Sequence, residues 1–194
     1  MAITLLALDL PIPDPGGTKD LAHTLGHNWP SFAAFAVSFA TIGIVWINHH
    51  AMLRRIARVD HATLLLNMLL LMCICLVPFS TALMAKYLTA SHGQRLAAAI
   101  YGGSLLLMSS CFFAIQRHVL LIRPGLLREG VTAEIGEQVI RRNRFGLLPY
   151  AVATALAAAS GYVTYAITAA IAVYYAIPRT TADVADRDRD EPAR

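Results

Sequence analysis

A chain of 194 residues that is 57% hydrophobic and only 14% charged is not an ordinary soluble domain, in which about 25% of residues are charged. Its net charge of +4 does not point to nucleic acid, because the basic residues stand between apolar runs, where they report membrane topology. The cysteines, Cys73, Cys75 and Cys111, all fall inside apolar runs, and an odd count without a loop cysteine excludes a disulfide framework.

Residues 1–8 are apolar and helix-compatible, Asp9 ends the run, and Pro11, Pro13 and Pro15 stop any helix. The segment has no basic n-region and no small-residue cleavage site, so it does not read as a signal peptide. A polar stretch, Ile12 to Pro30, follows. The uncharged stretches 31–48, 62–85 and 96–116 reach or approach the ~18–20 residues that cross a bilayer. A basic loop, HHAMLRRIARVDH, separates the first two. A short loop, Lys86 to Arg95, separates the second from the third.

A long basic segment then runs from Arg117 to Arg144. Its part from Thr132 to Arg144 predicts a surface helix, with Glu134 and Glu137 early and Arg141, Arg142 and Arg144 late, as the helix dipole favours. From Phe145 to Pro178 nothing is charged. At 1.5 Å per residue that run is roughly 50 Å long, too much for a ~30 Å hydrocarbon core. A break at Ser160–Gly161 gives two short spans, 145–160 and 162–177. The sequence thus predicts an all-α polytopic membrane protein with one domain, residues 1–178, in which residues 1–10 form a partial first helix. A charged tail, 179–194, is expected to be disordered and solvated.

Arg54, Arg55, Arg58, Arg117, Arg123, Arg128, Arg141, Arg142, Arg144 and the tail arginines fall on one side of this scheme, against Lys19, Lys86 and Arg95 on the other. The positive-inside rule puts the first set, and the C-terminus, in the cytoplasm. Residues 1–8 then supply only ~12–15 Å of helix, and half a span leaves backbone groups unsatisfied in lipid.

Few residues suggest chemistry. Phe35, Phe39, Ile42, Trp46 and His49 or His50 recur at helical spacing and read either as a packing face or as a specific helix–helix network at the membrane edge. His49, His50 and His61 raise the possibility of metal or haem, but adjacent histidines diverge on a helix, the i,i+4 pairing of helical zinc sites is absent, and no paired carboxylate or cysteine supports them. Asp60 beside Arg58 reads as a loop charge pair. Asn67 is expected to hydrogen-bond to another helix, and Pro78 to kink its own. No span carries an acidic or basic residue, which weighs against a proton-coupled transporter. Met1, Thr4, Leu5 and Leu8 share a helical face, and a ring of apolar side chains can gate a pore by dewetting.

The opening ITLLALDL-P, the stretch WPSFAAFAVSFATIGIVWINHH and the stretch RVDHATLLLNMLLLMCICLVPFSTALMAKY together resemble bacterial members of the endosomal/lysosomal potassium channel family, transmembrane protein 175. The resemblance covers most of residues 1–87. Its most specific piece is SFxxIxxxWxxHH, Ser38 to His50, followed by Asn67 and Pro78–Phe79. It implies six helices per subunit, a homotetramer, and a central pore lined by the first helix without a carbonyl filter. Thr4 matches a pore-lining Thr, Leu5 and Leu8 match further constriction positions, and Met1 falls at the narrowest ring, where the family has Ile or Leu.

The family also carries an Arg-x-x-x-Phe-Ser-Asp motif in the cytoplasmic half of that helix, which packs on the Trp and His matched by Trp46 and His49 or His50. This sequence lacks the motif, so the resemblance implies a start that cuts the first helix in half. A packing network of Ser38, Phe39, Trp46, His49, His50 and Asn67 is expected to hold the first helix, and its histidines are placed to couple gating to cytoplasmic pH.

The expected function is a potassium-preferring, passively conducting cation channel in a bacterial inner membrane. It would be no enzyme and would have no cofactor and no metal. Its partners would be potassium ions, the lipid bilayer and further copies of itself, and not nucleic acid. The alternatives are a non-conducting structural or regulatory subunit, a membrane redox or metal protein using the loop histidines, and a small-solute transporter.

Overall fold

The computed structural model describes residues 4, 7, 10, 12, 21–90, 92–128, 130 and 133–176, with backbone alone at 133, 135, 142–146 and 174–176. Among the described residues the regular structure is helical. The elements are a short α1 (Leu21–His27), α2 (Trp29–Leu53), α3 (His61–Tyr87), α4 (Gln94–Arg117), α5 (Ala133–Leu156) and α6 (Gly161–Ala176). Helices satisfy their own backbone groups, so apolar runs of this length fold this way in lipid. Three helical stretches, Trp29–Leu53, His61–Tyr87 and Gln94–Ile122, are long and apolar enough to cross a membrane. Two shorter apolar stretches, Leu147–Leu156 and Gly161–Val173, follow.

Local chemistry sets the ends. Pro30 lies in the first turn of α2, where a missing N–H costs nothing. Asp60 caps α3 by accepting from the Thr63 N–H at 2.8 Å and from the Thr63 hydroxyl at 2.6 Å. Gly93 precedes α4 with φ of 82°, a left-handed conformation that glycine adopts freely. Beyond Arg117 the chain widens into one π-helical turn, His118–Ile122, then a 3-10 turn, Pro124–Leu126.

Two boundaries differ from those expected. The basic loop after the first long span starts later, because α2 runs to Leu53 and carries His49 and His50 on regular helix. The surface helix 132–144 and the span 145–160 are one continuous helix, α5, which ends at Leu156. The switch from charged to apolar residues near 145 changes the surrounding solvent but supplies no backbone reason to break.

α4 is the central helix and packs on α3, α5 and α6, while α2 lies against α3 and α6. Its inward stripe, Ala98, Tyr101, Leu105, Met108 and Ile115, is buried and repeats at helical spacing. Leu70, Val77 and Met84 of α3 face it. Small residues allow the closest approaches. A Cβ on Gly102 would lie 3.2 Å from the Thr154 Cα of α5 and 3.4 Å from Thr164 Cγ2 of α6.

Buried hydroxyls pair between helices. Ser38 Oγ lies 2.8 Å from Thr81 Oγ1 and 3.1 Å from the Tyr101 hydroxyl. Ser80 Oγ lies 2.8 Å from Ser104 Oγ. The Thr164 hydroxyl donates to the Ala153 carbonyl at 2.9 Å. Cys73 and Cys111 bring their sulfurs within 3.7 Å across the α3–α4 contact, and all three cysteines are free thiols.

At the end of the bundle that holds the α2–α3 linker, that linker is knitted to the segment after α4. Ile56 and Leu127 form an antiparallel bridge. The Ala57 N–H donates to the Leu126 carbonyl at 2.8 Å, and the Arg128 N–H to the Arg55 carbonyl at 2.9 Å.

Candidate functional site

The residues expected to form a packing network divide into separate contacts. Ser38 belongs to the buried hydroxyl cluster with Thr81 and Tyr101. His49 and Asn67 meet between α2 and α3, with His49 Nε2 2.8 Å from Asn67 Oδ1. A half-buried Asn carbonyl there fixes which imidazole nitrogen carries a proton, since Nε2 must donate to it. Trp46 and His50, one turn apart, stack with ring centroids 5.5 Å apart and planes 10° apart.

The helical face read from Phe35 to His50 turns only partly inward. Ile42 is buried at 4% exposure, whereas Phe39 is 46% and Trp46 63% exposed. Phe35 and Phe39 touch each other, with centroids 5.8 Å apart. The inward face of α2 is instead Ala34, Ser38, Thr41, Ile42 and Met52. The α2 end that carries Trp46 and His50 therefore presents a flat aromatic pair outward from this chain, beside the half-buried His49–Asn67 bond. Such a surface suits docking of another apolar helix and performs no bond chemistry.

Of the opening segment, Thr4 lies on helical backbone with an exposed side chain, and Ala7 is helical as well. The pore-lining assignments of Met1, Leu5 and Leu8, and the charged tail 179–194, lie outside the described residues.

Sequence reasoning did not single out Tyr101, Thr81 or His118. Asp60 pairs with His118, whose Nε2 lies 2.9 Å from Oδ2, rather than with the adjacent Arg58. Hydrogen bonds from the Thr63 hydroxyl and Thr63 N–H, then the His118 imidazole, hold the Asp60 carboxyl well below the usual carboxylate range. The Asp-x-x-Thr spacing at the start of α3 is a capping signal that the sequence does display. The His118 contact spans two linkers and has no local signal. A phenolic hydroxyl inside an apolar run must find a partner, which marks Tyr101 as a residue to watch without naming Ser38. Among the described residues no group of three His, Cys, Asp or Glu side chains is placed to hold a metal ion.

The profile of the family described as endosomal/lysosomal potassium channel TMEM175 matches residues 1–78. A protein of Streptomyces collinus named as a potassium channel is 40% identical over 176 residues, covering 90% of this chain and 84% of that one. A second so named, from Chamaesiphon minutus, is 37% identical over 180 residues, covering 91% and 87%. The crystal structure of a lysosomal potassium-selective channel TMEM175 homolog from Chamaesiphon minutus superposes with a TM-score of 0.79 at 35% identity, covering 91% of this chain and 89% of that one. With this identity sustained over nearly the whole length, and with the same helical architecture, the chain belongs to the endosomal/lysosomal potassium channel TMEM175 family.

Proposed function

We propose that this chain is one subunit of a potassium-preferring channel in a bacterial membrane. The observation that carries the reading is its near-complete structural match to a protein described as a potassium-selective channel. Family membership makes ion conduction, and not an enzymatic reaction, its activity. In this reading four copies surround a central pore, each contributes six membrane helices, and the opening segment lines the conduit. Thr4 supplies the polar surface there, and Met1, Leu5 and Leu8 supply an apolar constriction that gates by dewetting. The exposed Trp46–His50 stack and the His49–Asn67 bond form the seat against which the opening helix rests. The arginines of the α2–α3 linker and of the segment after α4 favour the cytoplasmic side for those two segments and for the C-terminus.

The test is ion flux into liposomes holding the purified chain, with potassium and sodium compared. Potassium flux above sodium flux is expected, and Thr4→Trp should abolish it while leaving the elution volume in detergent unchanged. Flux from neither ion with folded protein would overturn the channel reading in favour of a non-conducting subunit. Normal, selective flux in the Thr4→Trp protein would remove the opening segment from the pore wall.

A further inference from the structure

The two knitted linkers make one continuous surface at one end of the bundle, and that surface is strongly basic. Around the bridge of Ile56 with Leu127, Arg55 and Arg128 stand directly opposite each other, joined by the Arg128 N–H to Arg55 carbonyl bond. Arg58 is held one step along, its N–H donating to the Leu126 carbonyl at 3.2 Å. Like charges placed directly opposite on paired strands repel. Among the described residues no carboxylate lies within ion-pair distance of these arginines, and Asp60 is already committed to Thr63 and His118. Arg128 Nε donates to the Ile56 carbonyl at 3.3 Å, which anchors that guanidinium at the seam and leaves its remaining donors for another group.

The same surface is not purely polar. Val59, next to Arg58, is 53% exposed, and Ile122, next to Arg123, is 54% exposed. Exposed apolar side chains beside guanidinium groups that meet no carboxylate among the described residues suit a boundary between hydrocarbon and water. The linkers occupy such a boundary, because they leave helices α2, α3 and α4, which are of membrane length.

We propose that this seam is a docking surface for anionic phospholipid, of the phosphatidylglycerol class. The phosphate would take the bidentate donors of Arg55, Arg58 and Arg128, and Val59 and Ile122 would lie against the glycerol and upper acyl chains. The bound headgroup relieves the repulsion between Arg55 and Arg128, and so holds the α2–α3 linker to the segment after α4. The proposal depends on the chain lying in a membrane and not on its conducting ions, so lipid retention and flux fail independently.

The test uses the full chain, stripped in a neutral detergent and then mixed with equal amounts of phosphatidylglycerol and phosphatidylcholine. Lipid that co-elutes with the protein is quantified by mass spectrometry. Phosphatidylglycerol should be enriched several-fold over phosphatidylcholine. Arg55→Gln with Arg58→Gln should bring the two lipids close to equal retention, since each arginine near an anionic headgroup contributes up to about fivefold, and Arg141→Gln should not change the enrichment. On the unaltered protein, which carries no folding risk, raising salt should lower the enrichment as a screened attraction does. Equal retention of both lipids, retention indifferent to salt, or retention unchanged in the double variant would each overturn the proposal. Displacement by inorganic phosphate at matched ionic strength would overturn it too, since the seam would then be a site for a free anion.

Discussion

Adjacent glycines on α4 give an internally controlled test of how the helices pack. A Cβ at Gly102 would meet Thr154 Oγ1 at 2.9 Å, Thr154 Cα at 3.2 Å and Thr164 Cγ2 at 3.4 Å. The hydroxyl cannot swing aside cheaply, because it donates to the Tyr150 carbonyl at 2.8 Å, and the Cα is backbone. A Cβ at Gly103 meets nothing within 4 Å. Gly→Ala inside a helix gains about 0.5–1 kcal/mol from backbone entropy at either position. Overpacking at Gly102 costs about 1–3 kcal/mol. Gly103→Ala should therefore stabilise by about 0.5–1 kcal/mol, and Gly102→Ala should lie about 1–3 kcal/mol below it, the entropic gain cancelling between the two. At about 2–4 °C per kcal/mol for a chain of this size, the two proteins should differ in Tm by at least about 2 °C. Thermal unfolding in one detergent, followed by tryptophan fluorescence, reads the difference. Equal Tm values, or a Gly102→Ala protein more stable than Gly103→Ala, would refute the close approach of α4 to α5 and α6.

Two further outcomes follow from the linker and the α3–α4 contact. Because the Asp60 carboxyl is held below its ordinary range in the folded protein, its stabilising contribution is complete above the unfolded value near pH 4 and is lost as pH falls toward the lower folded value. Asp60→Asn should flatten that acid limb in a stability–pH titration, and an unchanged slope would count against the cap. The 3.7 Å sulfur contact of Cys73 and Cys111 predicts that a membrane-permeant oxidant such as iodine joins these two thiols within one chain, each giving up its hydrogen as the oxidant takes two electrons. Peptide mapping should find that bond, and a disulfide to Cys75 instead would refute the register of α3 against α4.

What the sequence exposed and what it hid follow from where each interaction lives. The first three long helices were legible because lipid demands uncharged runs, and 31–48, 62–85 and 96–116 are such runs. Their ends were less legible, since a helix continues past the hydrocarbon wherever nothing breaks its backbone. α2 carries His49 and His50 on to Leu53 for that reason, and α5 carries a charged first half straight into an apolar second half. Ser38, Trp46, His49 and Asn67 stood out through a family string. The partners of Ser38 did not, because Thr81 and Tyr101 lie on other helices. Asp60 was read with its neighbour Arg58, and its actual partner, His118, lies 58 positions away.

The seam between Ile56 and Leu127 also bears on the order in which the chain is made. These residues lie just outside the two ends of the α3–α4 hairpin, so their bridge ties the hairpin shut. Both sides of the tie, and the hydroxyl cluster of Ser38, Thr81 and Tyr101, have been synthesised before α5 begins at Ala133. At roughly 5–20 residues per second, α5 and α6 arrive a few seconds later. The earlier helices can thus settle as a closed unit that presents the notch at Gly102 to the incoming hairpin. A rearranged gene that encoded α5 and α6 first would deprive that hairpin of its receptor at the moment it enters the bilayer.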